Sequence, residues 1–398
     1  MLGSMIIRTV RRNADVVVVG AGLFGTSIAF QLGRRRAGSV LLIERDRVAG
    51  GDSGLSFSLI RRHYSNEVTA RLAVRGVEII KQWEDEVGTG ESGYVGTGYL
   101  LTVGEEQLEA VADNVERLRD WGVDTSVVSA DEIAELEPLL SLDGIAGAAY
   151  EPDGGFADAQ KMTLAWFAGA SREGVDPVFE AVTAIRVEDG RVRGVETTGG
   201  RIDAQTVVLA VGGWGKELAA TAGVDVPISL RREQALRFRQ AAGRPQARMT
   251  FSDTVSDVVF RPDRAGLALA VAYHAEQPLA RRDDCRTEPD SDYAPAVREA
   301  LGVRLPAYAD AEWIGGFAGA YDFTPDWNPI VGWVPGVDGL YLALGWSGHG
   351  FKLSPSVGEV VAAAVFGEEP PIDVADLALE RFAAGKPLRL AYGAGARA

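Results

Sequence analysis

Residues 16–44 read VVVVGAGLFGTSIAFQLGRRRAGSVLLIE. Four consecutive valines describe a strand buried on both faces, because a half-exposed strand would alternate apolar and polar residues. Gly20, Gly22 and Gly25 follow with G-x-G-x-x-G spacing and open a segment of helical periodicity through Leu23, Phe24, Ile28 and Leu32. Gly38 closes that helix, and Val40–Ile43 form a second all-apolar strand that ends at Glu44. Each part has a physical role in holding a dinucleotide. The first glycine permits a tight turn, the second lets backbone approach a pyrophosphate, and the third lets helix and strand pack closely. Free N–H groups at the helix N-terminus then face the phosphate charge. Glu44 lies 24 residues after Gly20, where an acid accepts a hydrogen bond from the adenosine ribose.

Composition bounds the rest. A chain of 398 residues with 46% hydrophobic content and a mean hydropathy of +0.01 is expected to be a soluble globular protein of two or three domains. No run approaches the roughly 18 apolar residues of a membrane helix. The N-terminal apolar stretch is too short for a secretory signal, so the expected location is cytoplasmic. Cys285 is the only cysteine, which excludes an intrachain disulfide and a cysteine metal cluster; no metal site is expected. The formal net charge of −16 argues against nucleic acid and against anionic membrane surfaces as partners.

Outward from the opening motif, residues 45–56 form a polar, glycine-rich loop leaving the second strand on the cofactor side. Periodicity predicts helices over about 68–87, 105–121 and 158–173, with Ser129 as the N-cap of another. A meander is expected over 181–188, 192–197 and 202–211, its Asp189-Gly190 and Gly199-Gly200 pairs supplying hairpin turns. The last strand runs into Gly212-Gly213-Trp214, suited to meet the same cofactor. Short alternating strands at 235–238, 254–260 and 267–273 read as an antiparallel sheet of a second domain. A strand at 339–345 leads into Trp346-Ser347-Gly348-His349-Gly350-Phe351-Lys352 and a helix over 355–366.

Taken together, VVVVGAGLFGTSIA with Glu44, GGDSGLS, LIRRHYS, TVVLAVGGW, AYDFTPDWNPIVG (320–332) and GWSGHGFKLSPSVGE (345–359) resemble the glycine/sarcosine and D-amino acid oxidase family of FAD-dependent amine oxidoreductases, nearest its sarcosine oxidase branch. The resemblance covers about residues 14–366. It implies an α/β plus α+β fold, in which a Rossmann-like FAD-binding domain (13–90, 150–225 and 326–398) is interleaved with an antiparallel-sheet substrate domain (91–149 and 226–325). It further implies FAD contacts from Leu23, Phe24, Arg45, Gly51, Ser53 and Ser56, in addition to Gly20, Gly22, Gly25 and Glu44. From the rest of the chain the implied contacts are Val182, Ala210, Gly212, Trp214, Gly319, Tyr321, Gly348, Gly350, Phe351 and Lys352.

The implied chemistry is oxidation of the C–N bond of a small, N-methyl or secondary amino acid to an imine, with hydride passing to the flavin. The electrons would then go to oxygen or to another acceptor. Such a reaction needs a clamp for the substrate carboxylate and a C–H bond held over the flavin. Arg61 and Lys352 match the family positions of that clamp, a guanidinium and an ammonium converging from distant segments. For Arg61 the competing reading is a surface ion pair. His274 matches a pocket histidine able to exchange a proton with an amine, against a satisfied core histidine. His349 matches a histidine close to the flavin, where it would balance the charge of the reduced ring, and Tyr64 lies near the substrate mouth or serves packing.

Three departures qualify the resemblance. The cysteine that attaches FAD covalently in some relatives falls at Gly319, so FAD is expected to be non-covalent. The flavin-facing lysine that assists reaction with oxygen falls at Ala270, which favours a dehydrogenase using another acceptor. One of the two family arginines near the flavin falls at Ser58. The alternatives are a glycine or D-amino acid oxidase or dehydrogenase, the flavin-carrying subunit of a hetero-oligomer with an electron-acceptor protein, and a flavin-binding protein without catalysis.

Overall fold

The computed structural model describes residues 11–263, 266–272 and 276–388. His274, expected in the pocket, lies outside the described residues.

The valine run forms the strand Asn13–Val19 at the centre of an eight-stranded sheet. It pairs in parallel with Val40–Glu44 on one side and with Gly200–Leu209 on the other. The parallel series extends to Asp176–Phe179 at one end and to Leu340–Leu344 beyond Gly200–Leu209. Both faces are covered, as the unbroken apolar pattern requires. Val17, Val19, Leu41 and Ile43 join one core cluster, and Val16, Val18, Val40 and Leu42 join another. Helices Leu23–Arg34, Ala159–Arg172 and Ser354–Phe366 supply the second cluster.

At the end of the first strand the chain turns at Gly20, whose φ of +99° and 2.5 Å clearance from the Ala210 carbonyl oxygen leave no room for a side chain. A Cβ on Gly25 would overlap the Gly20 carbonyl oxygen, so the first helix seats directly on the turn. The carboxyl ends of the parallel strands therefore converge on one cleft, the general ligand position of open α/β sheets.

A nine-stranded, mostly antiparallel sheet stands beside the first. Its axis is the long pair Ser229–Arg239 and Glu312–Phe323. Tyr99–Val103, Ser126–Ser129 and Gly147–Glu151 extend its far end. Helix Tyr293–Arg304 covers one face, burying Leu236, Phe260, Ala268, Ala270 and Ala272. The opposite face carries Phe57, Ala235 and Leu269, with Val259, Val271 and Phe317 beside them. Leu59–Ile60, Val95–Gly96 and Gly155–Phe156 form a separate three-stranded ribbon. Among the described residues, no helix is long and apolar enough to cross a membrane.

Several local expectations change. The helix over 68–87 divides at Gln82 into Glu67–Lys81 and Trp83–Glu86. Residues 254–260 are not one strand: Thr250–Asp253 and Val258–Pro262 form a hairpin, with Asp257 at φ +51° in its turn. Residues 312–323, to which the sequence reading gives no strand, pair along almost the whole of 229–239. Ser129 does cap its helix, accepting from the Glu132 N–H while Glu132 Oε2 accepts from the Ser129 N–H at 2.8 Å.

The overlap at Gly25 gives a direct test of the strand–turn–helix unit. Gly25→Ala is expected to destabilise the protein by about 3 kcal/mol, the upper end for an overpacked core, and to lower its cofactor content. An unchanged melting temperature in differential scanning calorimetry would show that helix and turn separate freely.

Candidate active site

Two cavities meet at the junction of the sheets. The larger, of about 690 Å³, follows the carboxyl ends of the parallel strands and is within the size range of cofactor clefts. Its wall includes Gly20, Gly22, Leu23, Phe24, Glu44 and Arg45 from the opening motif, and Gly51, Ser53 and Ser56 from the following loop. Val182, Ala210, Gly212, Trp214, Tyr321, Gly348, Gly350 and Phe351 complete the predicted set found there. Three predicted contacts lie elsewhere. Gly25 faces the turn, Gly319 lies against Asp52 and Leu55, and Lys352 lines the second cavity.

The larger cavity fits an extended dinucleotide. Glu44 is held in place, its Oε2 accepting from the Ala21 N–H at 2.8 Å and its Oε1 from the Asp46 N–H at 3.0 Å. Ser53 Oγ accepts from the Leu23 N–H at 3.0 Å and ties the 52–55 turn to the start of the first helix. At the Glu44 end, Trp214 lies beneath the guanidinium groups of Arg45 and Arg282, at 4.5 and 4.9 Å from the ring. The Trp214 Nε1–H donates to Asp283 at 2.9 Å. Arg282 also donates to Asp52 at 2.7 Å, while the other Asp52 oxygen accepts from the Ala320 N–H at 2.9 Å. Sequence reading missed Asp52, Arg282 and Asp283, because 281–284 is indistinguishable from an ordinary charged loop until the fold carries it across the cleft.

Asp322 was also missed, although it lies within the quoted AYDFTPDWNPIVG stretch. Its carboxyl accepts from the Gly345 and Trp346 N–H groups at 2.9 and 3.1 Å, tying strand 312–323 to the 345–352 loop. Burial pushes its pKa up to about 7, against the pull of those two donors.

The second cavity, of about 310 Å³, is bounded by the site-facing side of the antiparallel sheet. Leu55, Ser56, Tyr321, Gly348 and Phe351 line both cavities, so a ligand group in one meets a ligand in the other across that wall. Arg61, His349 and Lys352 all line the second cavity. The side chains come from chain segments almost 300 residues apart, brought together by packing of the 351–353 turn against helix Glu67–Lys81 and strand Leu59–Ile60.

Arg61 is 4% exposed and Lys352 3% exposed, which removes the surface ion-pair reading of Arg61. Arg61 donates to the His63 carbonyl, and its guanidinium carbon lies 4.7 Å from the Tyr64 ring centre. Lys352 Nζ lies 5.5 Å from the same ring. Tyr64 is thus the buried floor beneath the two cations, not a residue of the cavity mouth. Its hydroxyl has no hydrogen-bond partner among the described residues. Lys352 likewise has neither a hydrogen bond nor an ion pair among the described residues; burial, then the neighbouring Arg61, hold its pKa well below the ordinary lysine value.

His349 packs against Tyr64 at 5.5 Å between ring centres. Burial, followed by the charges of Arg61 and Lys352, holds its pKa well below the ordinary histidine value. These surroundings favour the neutral ring, which can accept or donate a hydrogen bond in the cavity. The reading of Ala270 also changes. Ala270 is buried in the core on the helix-covered face, whereas Leu269 and Val271 point to the site side. A shift of one residue reverses the face of a strand, so these two neighbours, not Ala270, face the site side, and Val271 lines the second cavity. Both are apolar, and neither position supplies a cation.

The family model described as FAD dependent oxidoreductase (DAO) matches residues 15–364. The chain is 25% identical over 391 residues to sarcosine oxidase subunit beta of Rhodobacter capsulatus, covering 97% of this chain and 92% of that protein. It is 26% identical over 383 residues to the mitochondrial pyruvate dehydrogenase phosphatase regulatory subunit of Mus musculus, covering 94% of this chain but only 43% of that protein's length. Among solved structures it is similar to L-proline dehydrogenase from P. horikoshii, with a TM-score of 0.87, 27% identity and coverage of 96% of this chain and 100% of the other.

A buried ammonium in no direct ion pair costs stability. Lys352→Met is therefore expected to leave the melting temperature unchanged or raise it. Because the folded pKa of Lys352 is depressed, the unfolded chain binds the extra proton between that value and about pH 10.4, and wild-type stability rises with pH across the window. The advantage of the methionine variant should be largest near neutrality and should fade toward about pH 10. A variant less stable than wild type near neutrality would show that the lysine has a structural partner.

Proposed function

Because the chain belongs to the DAO family of FAD-dependent oxidoreductases, we propose that it oxidises the C–N unit of a small amino acid, N-methylated or secondary at nitrogen, to the imine. The observation that carries this reading is Lys352, a buried cation in no ion pair among the described residues, beside buried Arg61 in a cavity that shares a wall with the cofactor cleft. Such a site favours an anion from outside the chain, and the α-carboxylate of an amino acid is the matching group. Two of the similar proteins are named for sarcosine and L-proline, whose nitrogen carries a second carbon substituent.

Arg61 supplies a planar donor pair to one side of the carboxylate, and Lys352 a point charge to the other. Fixing the carboxylate leaves the α-carbon and nitrogen to extend toward the shared wall at Tyr321, Gly348 and Phe351. The apolar side of the cavity, with Phe57, Val259, Val271 and Phe317, accommodates the nitrogen substituent and excludes water. Neutral His349 can accept a hydrogen bond from the amine, and two nearby cations favour the neutral amine that oxidation requires. Bound FAD supplies the two-electron acceptor. The amine loses two electrons and two protons to become the imine, and water then converts this to a carbonyl compound and the free amine. Cys285 lines neither cavity, which supports non-covalent FAD.

The electrons would leave to an acceptor other than oxygen, because Leu269 and Val271 place no cation on the site-facing strand. A second reading, in which the chain is the flavin-carrying subunit of a hetero-oligomer, is favoured by the name of the Rhodobacter capsulatus relative as a subunit.

Arg61→Gln should retain FAD at the wild-type ratio yet raise KM for the amino acid by about 100-fold, the scale of about 3 kcal/mol for a lost charge-assisted pair. Steady-state kinetics with sarcosine, proline, glycine and D-alanine and an artificial electron acceptor check this. An unchanged KM with a substrate that wild type turns over would remove Arg61 from the clamp.

A further inference from the structure

Strand Gly147–Glu151 ends against the segment that carries Arg61. Glu151 is completely buried. Its Oε2 accepts from the backbone N–H of Arg62 at 2.8 Å and from Arg62 Nε at 3.3 Å. It thereby anchors the chain at the residue next to Arg61. Its Oε1 is buried and has no hydrogen-bond partner among the described residues. The other buried, unpartnered oxygens near by in the chain are the Tyr64 hydroxyl and Ser65 Oγ. A carboxylate that served only to hold Arg62 would be expected to use both oxygens on its arginine, since paired N–H donors are the strong arrangement. Here one oxygen is committed to the arginine and one is left toward the interior.

We propose that Glu151 is the internal counter-charge of the substrate clamp, a positioning residue that anchors the Arg61 segment and offsets the positive charge gathered over the Tyr64 ring. The inference rests on the clamp reading above. The groups around Lys352 are Arg61 and Tyr64 from the 59–64 segment, His349 from its own loop, and Glu151 from the neighbouring strand. Arg231, Glu233 and Glu276 line the same cavity as Lys352. Of the groups that act on its charge, Arg61 disfavours the ammonium and Glu151 favours it. Burial raises the Glu151 pKa, while Arg62 and then Arg61 draw it down, so the carboxylate depends on the cations as they depend on it. Asp153 adds a second carboxylate beside Arg62 at 3.5 Å, so an anion arriving in the cavity meets Lys352 as the cation in no ion pair among the described residues.

The test is the pH dependence of carboxylate binding to the FAD-loaded protein, read from flavin absorbance with benzoate and acetate as probes. Wild-type affinity should fall as pH rises and Lys352 loses its proton. In Glu151→Gln that fall should move to lower pH by about one unit, which is about tenfold weaker binding on the alkaline limb. Glu151→Asp should restore the wild-type profile. Superimposable profiles for wild type and Glu151→Gln, with only a lower melting temperature in the variant, would reduce Glu151 to a structural role and overturn the proposal. If Lys352→Met binds the probes as wild type does, the clamp itself fails, and the counter-charge with it. Should the Gln variant not fold, Arg62→Met/Glu151→Leu removes the buried pair together, and the same displacement of the profile is expected.

Discussion

A lysine amine taken out of water beside a buried guanidinium, in no ion pair among the described residues, is the constraint on which the rest of the site depends. Desolvating its ammonium form costs several kcal/mol, and a second positive charge adds to that cost. The surrounding structure is what makes it tolerable. Lys352 lies in a turn pressed against helix Glu67–Lys81, where the backbone of Gly76 leaves no space between helix and turn. Arg61 is fixed from the other side, through the Arg62–Glu151 pair and the Tyr64 ring. The cost of bringing like charges together is thus spread over two sheets and a helix, and the proposed carboxylate of the substrate would offset it.

The same architecture explains why the two cavities stay in register. The loop 345–352 ends a parallel strand, lines the cofactor cleft at Trp346 and Gly348, and carries His349 and Lys352 into the second cavity. Asp322 holds its beginning through two backbone N–H groups, and the Phe24–Trp346 ring stack, 3.4 Å between centres, ties it to the first helix. Arg282 and Asp52 bind the far end of the cleft to the antiparallel sheet. The wall of the cofactor cleft and the residues proposed to hold the substrate are thereby tied to the same elements. For a reaction that needs a C–H bond held at a fixed angle and distance, such rigidity is the main contribution the chain makes.

The features legible in the sequence were those that local chemistry determines. Val16–Glu44 could be read because an all-apolar run, a glycine triplet and a terminal acid constrain one another within about thirty residues, the span of a βαβ unit. The Asp189-Gly190 turn, the Ser129 cap and the helix over 159–172 are equally local. The errors came from long-range placement. Glycines at 315 and 316 hid a strand whose pairing with 229–239 overrides weak propensity. The face on which Ala270 lies is not legible from sequence, because strand register is set by partners distant in the chain. Glu151, Asp322 and Arg282 have no short motif, and their roles exist only once separate segments meet. The burial of His349 and its two neighbouring cations, which favour the neutral ring, are likewise invisible from residue type.

The most direct measurement is anaerobic mixing of the FAD-loaded protein with sarcosine, proline, glycine and D-alanine, followed by admission of air. The account predicts loss of the oxidised flavin absorbance with sarcosine or proline, slow return in air, and rapid return with an artificial electron acceptor. Full retention of the oxidised spectrum with every amino acid, in protein that holds its FAD, would contradict the proposed substrate class and the purpose assigned to the buried cations.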